Sequence, residues 1–211
     1  MNGLNLIQKH NSMKTPTTDE IENLHKKYAP GEAAFKLVFV HSQIVWKIAE
    51  TIILKNNLKI NGELIQAGCL LHDIGVYPLV NAEGKEFDPS KYITHGILGE
   101  EILKKEGFSE TLCRFASHHT GVGLTLENIM REQLPLPPAD YTAQTLEERL
   151  VMYADKFHSK FMPCFNSFAW YKNHVATFGD DTSNKLEKLA EEFGKPDLAP
   201  LIKKYGHSLR S

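Results

Sequence analysis

Cysteine is scarce in this chain. Cys69, Cys113 and Cys164 are the three present, an odd number, and no two of them stand in a CxxC spacing. That excludes a disulfide framework and a thiolate zinc ribbon, and it reads as incidental thiols of a reducing compartment. Charge of one sign is not in excess either. The formal net charge is -2, which gives no electrostatic footprint for nucleic acid or an anionic membrane as the main partner. The N-terminal stretch MNGLNLIQKHNSMK has no apolar core of a secretory leader, and no apolar run approaches the length of a membrane span. A soluble cytoplasmic chain is the expectation. Strict alternation of apolar and polar residues over a strand's length is also missing, as are internal repeats and low-complexity tracts. Helices are left as the building elements.

What is present is helical periodicity. Hydrophobic residues make up 42% and charged residues 24% of the 211, the balance of an ordinary globular chain long enough to bury a single core. Thr17 with Glu20 has capping-box spacing and starts a short helix ending near Ala29-Pro30-Gly31. From about 33 to 56, Leu37, His41, Ile44 and Ile48 fall on one stripe, so His41 shares an apolar face. A helix over about 62–72 ends in Leu70-Leu71-His72-Asp73-Ile74-Gly75, where Gly75 can supply a left-handed cap. Residues 76–91 read as loop, with helices over about 93–106 and from Ser109 onward. Phe108, Leu112, Phe115 and His119 lie on one face of the latter. The stretch 120–144 reads as irregular apart from a turn near 126–131. Thr145 and Glu148 then cap a helix carrying Leu146, Leu150, Tyr153, Ala154 and Phe157, bordered by Asp155. Aromatics crowd 161–180 without a firm period, and they suit a base-binding pocket or a dimer interface equally. Helices at about 183–193 and 197–204 close an all-α bundle. It is expected to form one domain over 1–211, with a core at about 33–161 and a helical extension at 162–211 packed on it.

His72 and Asp73 are the focus of this pattern. Imidazole beside carboxylate is a mixed N/O donor set for a borderline divalent ion. Neighbouring helical residues point roughly 100° apart, so one ion takes both only near a helix end. The partial negative charge of a helix C-terminus favours a cation there. His41, His95, His119 and Asp155 add four titratable groups on other helices. Bundles build metal sites from inward side chains in this way, and burying so many such groups is costly without a compensating cation or partner.

The order His41, His72-Asp73, Asp155 resembles the HD superfamily of metal-dependent phosphohydrolases, and LLHDIG resembles its HDIG signature. The resemblance covers about 35–161. The additional His95 and His119 resemble the branch that holds two metals. It implies that His41, His72, Asp73 and Asp155 hold one ion, and that Asp73 bridges to a second completed by His95 and His119. The segment HTGVGLT is similar to the His-x-Gly-x-Gly stretch of small HD hydrolases and favours His119 over His118 as the ligand. Val76 stands where HDIGK has lysine, no GYP follows, and DKFHSK replaces the arginine-bearing segment of diadenosine tetraphosphate hydrolases. These departures weigh against a cyclic dinucleotide substrate and leave diadenosine tetraphosphate without support.

The resemblance implies hydrolysis of a phosphomonoester or phosphoanhydride, in a nucleotide or a small metabolite, by water activated between two divalent transition ions (Fe, Mn, Co or Zn). Asp73, His118 and Lys156 are the candidate catalytic groups. His118 would serve as proton donor or supporting group, and Lys156 as a phosphate contact, whereas Lys160 reads as part of a solvated face. A homodimer is compatible with this reading. Two alternatives share the donor set: a mixed-valent di-iron oxygenase and a non-catalytic nucleotide-sensing module.

Overall fold

The computed structural model describes residues 15–85 and 89–211, so most of the polar N-terminal stretch and positions 86–88 of the expected loop lie outside the described residues. Eleven α-helices are assigned among the described residues: α1 Thr18–Tyr28, α2 Glu32–Asn56, α3 Gly62–Leu71, α4 Pro89–Tyr92, α5 His95–Lys105, α6 Glu110–Ser117, α7 Leu126–Glu132, α8 Leu146–Asp155, α9 Phe168–Ala176, α10 Asp180–Phe193 and α11 Ala199–Tyr205. A helical bundle is the fold, as the periodicity predicts.

The caps follow the expected chemistry. Thr17 with Glu20, and Thr145 with Glu148, close complete capping boxes, and the Ser109 hydroxyl accepts from the Leu112 amide. The central element is α2, which packs against α1, α3 and α8. Its Val38, His41, Ile44, Val45, Ile48 and Ile52 are all buried. By length and composition alone α2 matches a membrane span, contrary to the expectation that no run would. Half of the span is buried inside the bundle, where an apolar helix is what a core requires.

Two expectations are corrected. Gly75 does not cap α3 with a left-handed residue, because its φ is not positive. The chain instead runs from Asp73 into a 3-10 turn, Ile74–Leu79, within what the sequence suggested was loop. Glycine is required there for a different reason. A Cβ at 75 would overlap the His95 carbonyl oxygen and the Gly99 amide nitrogen, so its absence lets the start of α5 lie directly on the turn. The second correction concerns strands. Among the described residues three short ones, β1 His158–Ser159, β2 Cys164–Asn166 and β3 Ser208–Arg210, form a sheet in that order, β1 antiparallel and β3 parallel to β2. At two or three residues each they are too short to show a period of two. The extension after 161 is therefore not purely helical. It brings the far end of the chain beside the segment that follows α8.

His25 of α1 secures the end of α3. Its Nε2–H donates to the Leu70 carbonyl and its Nδ1 accepts from the Tyr77 hydroxyl, each at 2.7 Å. The bond from Tyr77 needs a neutral ring, whereas Nε2–H can donate to Leu70 in either state, and burial lowers the pKa from 6.5 to about 4. Between those values the unfolded chain binds more protons than the folded one, so the contribution is complete above pH 6.5 and is lost as pH falls toward 4. Chemical denaturation of wild type and His25→Gln at pH 7.5 and 4.5 tests this. Wild type is expected to lose on the order of 2–3 kcal/mol more on acidification than the variant, and equal losses would contradict the assignment.

Candidate metal centre

Six side chains converge where several helices end. His72 is the C-cap residue of α3 and Asp73 follows it. Asp155 is the last residue of α8, His119 lies two positions beyond α6, and His95 opens α5. Only His41 comes from the interior of a helix. Three helix C-termini thus direct their partial negative charge toward one small volume, a favourable setting for cations. His41, His72, Asp73, His95 and His119 are buried, and the Asp155 side chain is 16% exposed.

The donors divide into two sets that share Asp73: His41, His72, Asp73 and Asp155 in one, Asp73, His95 and His119 in the other. The division follows the two carboxylate oxygens. Asp73 Oδ2 faces His41 Nε2 at 3.1 Å and His72 Nε2 at 3.2 Å, whereas Oδ1 faces His95 Nε2 at 3.5 Å and His119 Nε2 at 3.6 Å. Asp155 Oδ1 closes the first set, 3.0 Å from His41 Nε2 and 3.4 Å from His72 Nε2.

The ring tautomers show what the sets are prepared for. A carbonyl can only accept, so Nδ1–H of His72 donates to Cys69 O, that of His95 to Tyr92 O and that of His119 to Ala116 O, each at 2.7 Å. In every neutral ring the Nε2 lone pair then points into the site. His95 and His119 consequently turn two lone pairs on each other at 3.0 Å, which only a cation or a proton between them makes favourable. Among the described residues, His72 Nε2 and both Asp73 oxygens make no hydrogen bond of good geometry, although all are buried. Unpartnered polar atoms this deep cost several kcal/mol unless something charged satisfies them. The donor chemistry and these orphaned atoms fit divalent ions.

The charges at the site compensate one another. Burial pushes the Asp73 carboxyl up, but Lys160 and His72 outweigh it and hold it well below the usual range. Asp155 is likewise held low against burial, by Lys156, His41 and His72. Burial pushes His72 down, but the negative charges of Asp73 and Asp155 beside it raise it to about 9. Burial and the charge of His119 take His95 down to about 3, and burial lowers His119.

The remaining sequence candidates divide. Lys156 is buried at the site, its Nζ donating to Asp155 Oδ2 at 2.8 Å and to the His119 carbonyl at 2.9 Å. Both bonds brace the centre, which is a different task from free phosphate contact. Lys160 is the correction. It is not on a solvated face: its Nζ lies 2.7 Å from Asp73 Oδ2 and donates to the Tyr92 hydroxyl at 2.7 Å. The short β1 turns it inward just after α8, an effect of chain reversal that helical spacing does not reveal. His118 stands apart from the donor sets. The C-cap turn of α6 points it away from the centre, toward Arg114 Nη1 at 3.0 Å and Ser117 Oγ at 2.7 Å, with Tyr141 against its ring. Glu148 holds Arg114 there at 2.6 and 3.0 Å. His119 alone of the pair reaches the metal donors.

A cleft of about 370 Å³ opens onto the centre, lined by His95, His119, Asp155, Lys156, Lys160 and Arg210 among others. Arg210, on β3, and His158, on β1, escaped the sequence reading. Nothing local in their segments distinguishes them, since the sheet alone brings them in. Tyr171, from the aromatic segment 161–180, also lines the cleft.

Residues 38–160 match a family model described as HD domain. The chain is 35% identical over 128 residues to a tRNA (cytidine(56)-2'-O)-methyltransferase of Picrophilus torridus, which covers 61% of this chain and 33% of that protein. It is 40% identical over 97 residues to an uncharacterised protein of Methanocaldococcus jannaschii, covering 46% and 50%. The chain thus spans about a third to a half of the length of the curated relatives it matches. Among solved structures, the HD domain of the L. monocytogenes phosphodiesterase PgpH is similar, with a TM-score of 0.52 and 19% identity over 88% of this chain and 98% of that one. The same domain in complex with cyclic-di-AMP gives a TM-score of 0.51 and 17% identity over 88% and 97%. These two likenesses show a shared fold.

If Asp73 joins the two sets, removing it and removing a peripheral donor have different consequences. Asp73→Ala is expected to lose both ions, and His95→Ala mainly one. Elemental analysis of the purified variants checks this, and full occupancy in Asp73→Ala would contradict the bridging role.

Proposed function

Because the chain belongs to the HD-domain family, we propose that it is a metal-dependent phosphohydrolase acting on a phosphomonoester or phosphoanhydride of a nucleotide or another small phosphorylated metabolite. The observation that carries this reading is buried Asp73, one oxygen turned to each donor set, in a cluster whose His95, His119 and Asp155 line a cleft together with Lys156, Lys160 and Arg210. His41, His72, Asp73 and Asp155 would hold one divalent transition ion, and Asp73, His95 and His119 a second. Such ions, when bound, lower the pKa of a water and polarise phosphoryl oxygens.

The protein's own groups do the rest. The Nδ1–H bonds to Cys69, Tyr92 and Ala116 fix three rings before any substrate arrives. Lys156 holds Asp155 and the carbonyl of His119 in place. Lys160 is the ammonium best placed for substrate. It lines the cleft, and burial is outweighed by the charge of Asp73, so its pKa is raised and it stays charged. With Asp73 engaged in holding ions, the Lys160 ammonium would be free to contact a phosphoryl oxygen and to neutralise charge developing on it. His118, turned away into the Arg114–Glu148 cluster, is given no part in the chemistry. A nucleotide is the favoured substrate class, supported by the cyclic-di-AMP complex of a protein with the same fold. Cationic lining also favours a phosphorylated ligand over a neutral one.

A phosphate-release screen over nucleotides and sugar phosphates tests the proposal. Release is expected with added divalent ion and is expected to stop with chelator. Lys160→Ala is expected to lower kcat/KM roughly 10- to 100-fold, the weight of one charge-assisted hydrogen bond. Iron-specific oxygen consumption without phosphate release would overturn the hydrolase reading in favour of an oxygenase. Tight nucleotide binding by the metal-loaded protein without turnover would overturn it in favour of a sensor.

A further inference from the structure

His41 poses a problem that the other three histidines do not. His72, His95 and His119 sit at helix ends, where backbone carbonyls have no partner in the helix and are free to fix the ring. His41 lies well inside the 25-residue α2, whose interior carbonyls are engaged in the helix ladder. Its Nδ1 meets another imidazole instead, His158 Nδ1 at 2.8 Å, and His158 Nε2 meets His207 Nδ1 at 3.0 Å. The three rings are nearly parallel, with centroids 5.2 Å apart at each step and interplanar angles of 26° and 25°. His158 is buried, with Phe165 edge-on to it, and His207 is partly exposed at the entrance to β3.

We propose that His158 and His207 form a relay of positioning residues that presents the Nε2 lone pair of His41 to the first metal. The inference rests on the metal-centre reading above and adds to it, through His207, a part of the chain lying beyond the matched region 38–160. One requirement fixes every proton in the row. If Nε2 of neutral His41 is to bind a cation, its proton sits on Nδ1 and is donated to His158. His158 Nδ1 must then carry the lone pair, and its proton sits on Nε2. That Nε2–H needs an acceptor, which His207 Nδ1 supplies. Without His207, the buried His158 gains nothing from keeping its proton on Nε2. With the proton on Nδ1 instead, it would oppose the proton of His41 and favour the tautomer that cannot bind. Partners that fix ligand tautomers in this way are typically worth 10- to 100-fold in metal affinity. Parallel pairing of β3 with β2, Cys164 opposite Ser208, holds His207 in place.

The experiment is a competitive zinc titration of the metal-free full chain against a chromophoric chelator, combined with nitrogen-15 NMR of the histidine rings in the zinc-loaded protein. Wild type is expected to bind two ions, with His158 as the Nε2–H tautomer. His207→Ala should weaken one of the two sites roughly 10- to 100-fold, leave the other unchanged, and remove the single tautomer of His158. His207→Gln, whose side-chain carbonyl also accepts, should restore affinity to within a few-fold. Unchanged affinity in His207→Ala, with wild type binding two ions, would overturn the relay alone. Equal weakening of both sites without rescue by glutamine would assign His207 to strand packing and also overturn the relay. Wild type that takes up no zinc would overturn the metal-centre reading and this inference together.

Discussion

The structure depends on one carboxylate buried without a hydrogen bond of its own. Asp73 has no solvent exposure, and neither of its oxygens finds a donor of good geometry among the described residues. A bare anion so placed is tolerable only where positive charge compensates it. In this structure Lys160 and the surrounding imidazoles meet part of that need. The orientation of the carboxylate, one oxygen to each cluster, makes one residue the common member of two donor sets.

Delivering four imidazoles and a second carboxylate to Asp73 is a problem of helix ends. The last turn of a helix leaves carbonyls unpaired, and three histidines use them as ring anchors. The same ends contribute negative potential where cations would sit. Close backbone approach is the accompanying requirement. The 3-10 turn after Asp73 lies directly on α5 at Gly75, and α5 meets α6 at Gly99 and Ala116, so His95 and His119 arrive on the same side of Asp73. The His25 bonds to Leu70 and Tyr77 fix the other flank of the turn.

The sequence was most informative where chemistry and periodicity coincide. His41 on an apolar stripe and the HD pair at a helix end follow from helical spacing, whereas His119, two positions beyond the end of α6, is favoured by the HTGVGLT resemblance, and the six side chains meet in space. The hidden parts depend on chain reversals. The spacing of Lys160 from Lys156 predicts a solvated face and carries no trace of the two-residue β1 that turns it inward. Adjacency to His119 says nothing of where His118 turns, because the α6 cap sends neighbouring side chains in different directions. His207 and Arg210 lie about fifty residues from Asp155, and three-residue strands leave no periodic trace. Gly75 was correctly marked as special, but for backbone freedom when close packing was the reason.

The central claim is that Asp73 is shared by two metal sites, and anomalous diffraction from crystals grown with manganese or zinc tests it most directly. The account predicts two anomalous peaks per chain, one among His41, His72, Asp73 and Asp155 and the other among Asp73, His95 and His119, with Asp73 contacting both. A single peak away from Asp73, or two ions of which only one touches it, would contradict the account.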